Sequence, residues 1–184
     1  MENTEKVKWI IKQHSDTNHM YDQYLPYDFH LRMVARVANQ NMSLIPDSND
    51  GETTTRDSVL LAAYGHDLIE DTRVSYNDVE KELGVKAADI IYACTNEKGK
   101  NRKERANDRY YEGIRNTPYA VFVKLCDRIA NVQYSKMTGS RMFEMYKKEN
   151  DKFGASLGVW MVPGYTQHPY FPLFAQLLEI FESK

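Results

Sequence analysis

Apolar residues recur at spacings of three and four along most of this chain, and this pattern limits its possible folds more than any other feature. Met33, Val34, Val37 and Ala38 form one such stripe. Clean alternation of apolar and polar residues, which is typical of strands, is scarce. The pattern therefore predicts an all-α fold, a helical bundle formed by a single domain over residues 1–184.

The apolar spacing and the turn residues between apolar segments also predict individual helices. Predicted helices cover about 5–14, the stripe after His30, about 55–69, Ser75 to Gly84, about 87–94, the segment after Pro118, about 141–153, and the tail from Pro169 to Phe181. Ser75 is predicted to be an N-cap, because its hydroxyl can accept a hydrogen bond from an otherwise unpaired amide.

Composition excludes several classes of protein. The 26 acidic and 24 basic residues give a net charge of -2, which does not fit a dedicated nucleic-acid binder. The two cysteines are too few for a disulfide framework or a cysteine-based zinc site. No apolar run approaches the roughly 20 residues that span a bilayer, and the amino terminus does not resemble a signal peptide. We therefore expect a cytoplasmic protein with neither a nucleic-acid nor a membrane partner.

The most informative stretch is His66-Asp67-Leu68-Ile69-Glu70-Asp71-Thr72, which ends an otherwise apolar predicted helix. At a spacing of four, His66 would share a helix face with Glu70, and Asp67 with Asp71. Imidazole and carboxylate groups together suit divalent ions such as Mn, Fe, Zn or Mg. A polar helix end on the surface would also produce this pattern.

Two further polar residues interrupt apolar helix faces. His30 shares its face with Met33 and Val37, where a hydrogen-bonded core histidine is the simpler alternative. Asp127 lies in an equally apolar predicted helix, where a buried carboxylate is costly unless it is paired or binds a metal. Its alternative explanation is an ion pair with Lys124 or Arg128.

One metal ion would satisfy all of these buried groups at once. His30, the His66–Asp67 pair and Asp127 would each supply a ligand to it. By contrast, His14, His19 and His168 show no spacing that ties them to this set.

The order His, His-Asp, Asp on successive helices resembles the HD-domain metal-dependent phosphohydrolase superfamily. Within it, the chain is similar to the alarmone hydrolases of the RelA/SpoT type and to the small stand-alone enzymes of the metazoan SpoT-homologue type. The resemblance extends over roughly residues 26–132. The matching stretches are Pro26-Tyr27-Asp28-Phe29-His30, the motif at 66–72, Cys94-Thr95-Asn96-Glu97-Lys98, and Lys124-Leu125-Cys126-Asp127-Arg128-Ile129-Ala130-Asn131.

The resemblance implies a role for each matching residue. His30, His66, Asp67 and Asp127 would bind a single divalent ion, usually Mn²⁺, with Fe²⁺, Mg²⁺ or another divalent ion as alternatives. Glu70 and Asp71 would position and deprotonate the attacking water or serve the leaving group, and Asn131 would face the nucleotide sugar or phosphate.

A basic segment follows the third matching stretch. Residues 96–109 contain six basic and three acidic side chains, and Lys98 and Arg105 are candidates to pair with a pyrophosphate. A solvated helix face with interleaved acids is the alternative.

The chain departs from the family ahead of the first histidine. Alarmone hydrolases carry an Arg-Lys pair there, and its arginine helps to hold the purine, whereas this chain has Tyr21 and Asp22 near the corresponding positions. Tyr21 could still stack on a base, since aromatic rings tolerate any base. An acidic side chain at position 22 would disfavour a phosphate.

The resemblance therefore implies a metal-dependent phosphohydrolase of nucleotides that removes pyrophosphate from the 3′ position of an alarmone such as guanosine tetraphosphate. Two alternatives remain open. One is another HD-family nucleotide phosphohydrolase, such as a nucleotidase or a nucleoside triphosphate hydrolase. The other is a nucleotide-binding module without catalytic activity.

Overall fold

The computed structural model describes residues 2–49, 53–97, 99–160 and 168–183. Over these residues the regular structure is helical, and strand pairing is limited to the isolated bridges Met20–Pro26 and Asn49–Thr54, which confirms the all-α prediction. In chain order the helices are α1 (Glu2–Asp16), α2 (Asp28–Gln40), a 3-10 turn (Met42–Leu44), α3 (Thr55–Gly65), α4 (Leu68–Asp71), α5 (Tyr76–Leu83), α6 (Val85–Cys94), α7 (Arg102–Arg105), α8 (Asp108–Asn116), α9 (Ala120–Met137), α10 (Met142–Leu157) and α11 (Phe171–Glu182). None of these helices is both long and apolar enough to cross a membrane.

Helix α9 is the centre of the bundle. Twelve of its 18 residues are buried, because α2, α3, α6, α10 and α11 pack around it. A helix that is apolar on nearly all sides belongs in a core, and the segment Val121–Val132 has this character. Asp127 and Arg128 are buried together with this segment, and the surrounding helices fix the positions of their side chains.

Side-chain caps define where several helices begin. Ser75 and Asp78 form the capping box that starts α5, as the serine predicted. Thr54 accepts from the amide of Asp57 at the start of α3, and Asn107 accepts from the amide of Tyr110 at the start of α8. Helix α8 was not predicted. Its first two residues belong to the segment 96–109, for which only the basic character was noted.

The prediction of one helix over about 55–69 is wrong, because α3 ends at Gly65 and a separate turn, α4, begins at Leu68. The packing at the break is very close. A Cβ atom on Gly65 would lie 2.9 Å from Cδ1 of Ile91 and 3.0 Å from Cδ1 of Leu68. The small residue allows α6 to approach the break. His66 and Asp67 lie between the two helices there, and Asp67, with φ -103° and ψ 5°, departs from helix geometry.

Candidate metal centre

Three separate helical elements bring a cluster of potential metal ligands together. His30 comes from the first turn of α2, His66 follows α3, and Asp127 comes from the middle of α9. One ligand atom from each of the three lies within 4.8 Å of the others. The two histidine Nε2 atoms are 3.3 Å apart, and Oδ1 of Asp127 is 3.4 Å from Nε2 of His30.

Asp67 adds a fourth oxygen to this cluster. Its Oδ2 lies 2.9 Å from Nε2 of His66 and 3.8 Å from Nε2 of His30. Both histidines are almost fully buried, with exposures of 1% for His66 and 2% for His30. The four residues predicted as ligands thus converge on one small volume.

The hydrogen bonds behind the cluster prepare His66 for metal binding. Nδ1 of His66 lies 3.0 Å from the carbonyl oxygen of Ala63, which can only accept, so Nδ1 carries the proton. In the neutral ring, Nε2 then holds the lone pair and faces the cluster. Two imidazole nitrogens and two carboxylates form a donor set that fits a divalent transition ion.

The cluster is also electrostatically balanced. Although burial acts to lower it, the adjacent Asp67 carboxylate raises the pKa of His66 to about 9. Burial works against ionisation of Asp67 as well, yet His66 holds the pKa of that carboxyl well below its usual range. The buried carboxylates are therefore stabilised by positive charge, which a divalent cation would also supply.

Asp127 is supported from its own helix. Its Oδ2 forms a 2.9 Å ion pair with Nζ of Lys124, while Nδ2 of Asn131 donates to its Oδ1 and to its backbone carbonyl. Burial opposes ionisation here too, but the Lys124 ammonium holds the pKa of Asp127 well below its usual range. The ion pair considered as the alternative for Asp127 is thus present together with the histidine contacts.

The two predicted catalytic carboxylates lie at the turn α4. Glu70 accepts from the side-chain amide of Asn96 at 2.8 and 2.9 Å and from the Asn96 backbone amide at 3.2 Å. Burial, followed by the nearby carboxylates of Asp67 and Glu70, raises the pKa of Asp71 to about 7. One carboxylate is thus held in place, and the other is suited to exchange protons near neutral pH.

Sequence reasoning missed the part of Asn96 in this site. The stretch from Cys94 to Lys98 matched the family, and this was the signal that could have drawn attention to the asparagine. Its contact with Glu70 spans 26 positions and joins the segment after α6 to α4, so helix periodicity alone could not reveal it.

No sequence spacing ties His14 and His19 to the site, but the structure places both of them beside it. The ring of His19 stacks on Tyr27 with centroids 3.8 Å apart, and its Nδ1 lies 3.8 Å from Oδ2 of Asp71. His14 is buried, and its Nδ1 is 3.4 Å from Nδ1 of His19. Tyr27 connects this group to the ligands, because its hydroxyl donates to Oδ2 of Asp67.

The structure places Tyr21 and Asp22 against α9. The Tyr21 hydroxyl donates to Oδ1 of Asn131 at 2.9 Å, and its ring stacks on His30 with centroids 4.8 Å apart. Asp22 accepts from the hydroxyl of Tyr134 and from the backbone amides of Tyr24 and Leu25. Both side chains are engaged within the protein, and a base-stacking role for Tyr21 remains a prediction.

A cavity of about 210 Å³ opens from the cluster. Its walls include Glu70, Asn96, Arg105, Tyr110, Tyr111, Lys124, Asp127, Arg128, Asn131 and Tyr146. Two predicted substrate-binding residues, Arg105 and Asn131, therefore line the same space as the predicted metal ligand Asp127. Lys98 lies outside the described residues.

Comparison with known proteins identifies chains of similar sequence and structure. No family model matches the chain. It is 28% identical over 129 residues to the guanosine-3′,5′-bis(diphosphate) 3′-pyrophosphohydrolase MESH1 of Danio rerio, and this match covers 70% of the chain and 66% of that protein. The Drosophila melanogaster protein of the same name is 32% identical over 79 residues, covering 43% of the chain and 44% of that protein. The matches therefore span less than two thirds of these relatives' own length.

Solved structures show the same fold. A structure described as a metazoan ortholog of SpoT that hydrolyzes ppGpp matches with a TM-score of 0.70 and 24% identity, covering 98% of this chain and 93% of that one. A structure from Listeria monocytogenes EGD-e matches with a TM-score of 0.56 and 21% identity, over 85% of this chain and 98% of that one. The all-α fold of this chain is therefore the fold of these two structures. The sequence matches confirm the predicted similarity of this chain to hydrolases of the RelA/SpoT type.

Proposed function

We propose that this protein is a divalent-metal-dependent phosphohydrolase that removes pyrophosphate from the 3′ position of guanosine-3′,5′-bis(diphosphate). The observation that carries the proposal is the convergence of His30, His66 and Asp127 within 4.8 Å, with Asp67 beside them. Relatives that are named for this reaction support the choice of substrate.

His30, His66, Asp67 and Asp127 would hold the ion. Manganese is our first choice, and Fe²⁺ and Mg²⁺ are the alternatives, because the donor set of nitrogen and carboxylate oxygen accepts all three. When bound, a divalent ion neutralises charge on phosphoryl oxygens and makes a coordinated water more acidic.

The two carboxylates at α4, Glu70 and Asp71, would orient the attacking water and accept its proton. In the proposed reaction, a water oxygen attacks the phosphorus next to the ribose 3′ oxygen, and the bond between that phosphorus and the 3′ oxygen breaks. Glu70, held by Asn96, would orient the water, and Asp71 would take its proton. The 3′ oxygen leaves with a proton, so that the products are a 3′ hydroxyl and pyrophosphate.

The other predicted site residues would bind the substrate. Asn131 would face the sugar or phosphate, Arg105 and Lys98 would pair with phosphate oxygens, and Tyr21 would approach the base.

The organisation of the chain as one domain over residues 1–184 and a cytoplasmic location stay predictions. The net charge of -2 supports a small-molecule substrate rather than a nucleic acid.

The second candidate is another nucleotide phosphohydrolase of the HD type. The specific observation in its favour is that Tyr21 and Asp22 stand near the positions of the family's cationic pair. Tyr21 donates to Asn131 and Asp22 accepts from Tyr134, so these side chains supply no positive charge for a phosphate. A nucleotide-binding module without catalysis is the third candidate, but binding alone does not require the two acids at positions 70 and 71.

The test is hydrolysis of a nucleotide panel by manganese-loaded protein, followed by anion-exchange chromatography. The panel contains guanosine and adenosine 3′-pyrophosphates, nucleoside triphosphates and nucleoside monophosphates. We expect release of pyrophosphate from the 3′ position, loss of turnover in His66→Ala and Asp127→Ala, and normal turnover in the control His168→Ala. Turnover of only triphosphates or monophosphates would favour the second candidate.

A double variant separates catalysis from binding. Glu70→Gln combined with Asp71→Asn should keep the bound metal, measured by elemental analysis, and lose turnover. If the wild-type protein loads metal, binds the nucleotides and hydrolyses none of them, the binding module is the correct interpretation.

A further inference from the structure

A second cavity adjoins the one at the metal ligands. It has a volume of about 390 Å³, and its walls share Ala106, Tyr111 and Arg128 with the inner cavity. Arg128 follows the ligand Asp127 directly in sequence and lines both spaces. A molecule bound at the metal ligands can therefore extend past Arg128 into the outer cavity.

Arg128 is held rigidly in this position. Its guanidinium carbon lies 4.1 Å from the ring centroid of Phe153 and 4.6 Å from that of Tyr146, both on α10. Its Nη1 is 3.6 Å from Oε2 of Glu149. Two aromatic contacts and a carboxylate fix the plane of a group that remains charged at any physiological pH.

The outer cavity carries a positive charge excess. Arg128 and the exposed Lys152 line it together with a single acid, Glu149. A planar guanidinium can bind two phosphate oxygens at once, and a nearby ammonium adds a flexible second donor. These residues favour an anion with several oxygens over an uncharged base or sugar.

We propose that Arg128 and Lys152 form a second phosphate-binding site, which holds the 5′-phosphates of a nucleotide whose 3′-phosphates lie at the metal ligands. This inference rests on the proposed function and assigns two side chains to the 5′-phosphates of its substrate. The adjoining cavities suit such a molecule, since one ribose separates the two phosphorylated oxygens. Tyr111, which lines both cavities, borders the passage between them.

The test compares two substrates that differ only at the 5′ position, guanosine-3′,5′-bis(diphosphate) and guanosine 3′-diphosphate. We expect the wild-type kcat/KM to be roughly tenfold or more higher for the first, the size expected for a charge-assisted hydrogen bond. Arg128→Lys and Lys152→Met should reduce that ratio through KM. Glu149→Gln should increase it, because a competing carboxylate is removed.

Lys148→Met is the matched control, because it removes an exposed positive charge from the same helix outside both cavities. It should leave the ratio unchanged. Lys152 is exposed, so its variant tests the site even if a change at the buried Arg128 harms folding. A wild-type ratio near one, or equal loss on both substrates in Lys152→Met, would overturn the inference while the proposed function stands.

If neither substrate is hydrolysed, the proposed function fails and binding decides the inference separately. Guanosine 5′-diphosphate is titrated into metal-free protein by calorimetry, with guanosine as the unphosphorylated reference. Weaker binding of the diphosphate to Arg128→Lys and Lys152→Met, with normal binding to Lys148→Met, supports the site. Equal affinities in all four proteins would overturn it.

Discussion

The hydroxyl of Tyr27 donates a hydrogen bond to Oδ2 of Asp67, the same oxygen that lies 2.9 Å from Nε2 of His66. The contact links the turn before α2 to the break after α3. Partners of this kind orient a ligand and fix which of its lone pairs faces an ion.

Tyr27→Phe should therefore weaken divalent-metal binding by roughly 10- to 100-fold, the usual effect of losing a hydrogen bond behind a ligand. Calorimetric titration with manganese measures this affinity. Tyr24→Phe removes a hydroxyl from a side chain that is 79% exposed and serves as the control. Unchanged affinity in Tyr27→Phe would mean that Asp67 does not depend on this contact.

Asn96 should affect turnover rather than metal binding. Asn96→Ala removes the side-chain amide that donates to both carboxylate oxygens of Glu70, and we expect a loss of roughly 10- to 100-fold in kcat. The manganese affinity should be unchanged, since the side-chain and backbone amides of Asn96 donate to Glu70 and not to the four predicted ligands. Asn77→Ala, which removes an exposed amide from α5, should retain full activity. A large loss of metal from Asn96→Ala would contradict the assignment.

His14 should make the fold less stable in mild acid. Burial lowers the pKa of His14 from 6.5 to about 4, so between these values the unfolded chain binds a proton that the folded protein does not. The contribution of His14 to the free energy of unfolding is fully present above pH 6.5. It decreases as the pH falls towards 4, by up to about 3 kcal/mol.

Denaturant unfolding of wild-type protein and His14→Phe at a series of pH values measures this effect. Phenylalanine can keep the ring contact with Tyr27 but cannot take up a proton, so the stability of the variant should fall less steeply below neutral pH. His168→Phe, which alters a partly exposed ring, should keep most of the wild-type slope. Parallel slopes in wild-type protein and His14→Phe would exclude His14 as the cause.

Two glycines test the packing of the bundle in opposite directions. A Cβ atom on Gly154 would lie 2.5 Å from Cζ of Phe174, so Gly154→Ala should destabilise the contact between α10 and α11 by about 1–3 kcal/mol. Gly113 in α8 has no such neighbour within 4 Å, and Gly113→Ala should stabilise the protein by about 0.5–1 kcal/mol. Thermal unfolding measures both, and a stable Gly154→Ala would show that α11 can shift.

Much of this fold is readable from local patterns. The apolar spacing around Val34 and Val121–Val132 predicted buried helices, and Ser75 marked the start of α5, because helix faces and caps involve residues only a few positions apart. The break after Gly65 was not predicted, since it follows from the close approach of Ile91 on α6.

The candidate site was likewise predictable from the sequence only in part. Sequence alone singled out His30, His66, Asp67 and Asp127, because polar side chains in apolar helices require partners and their order resembles a known family. Tertiary structure decided that these groups face one another, and it added residues that no spacing marks, such as His19 and Asn96. The reason is that their contacts join elements far apart along the chain, and such contacts depend on how whole helices pack.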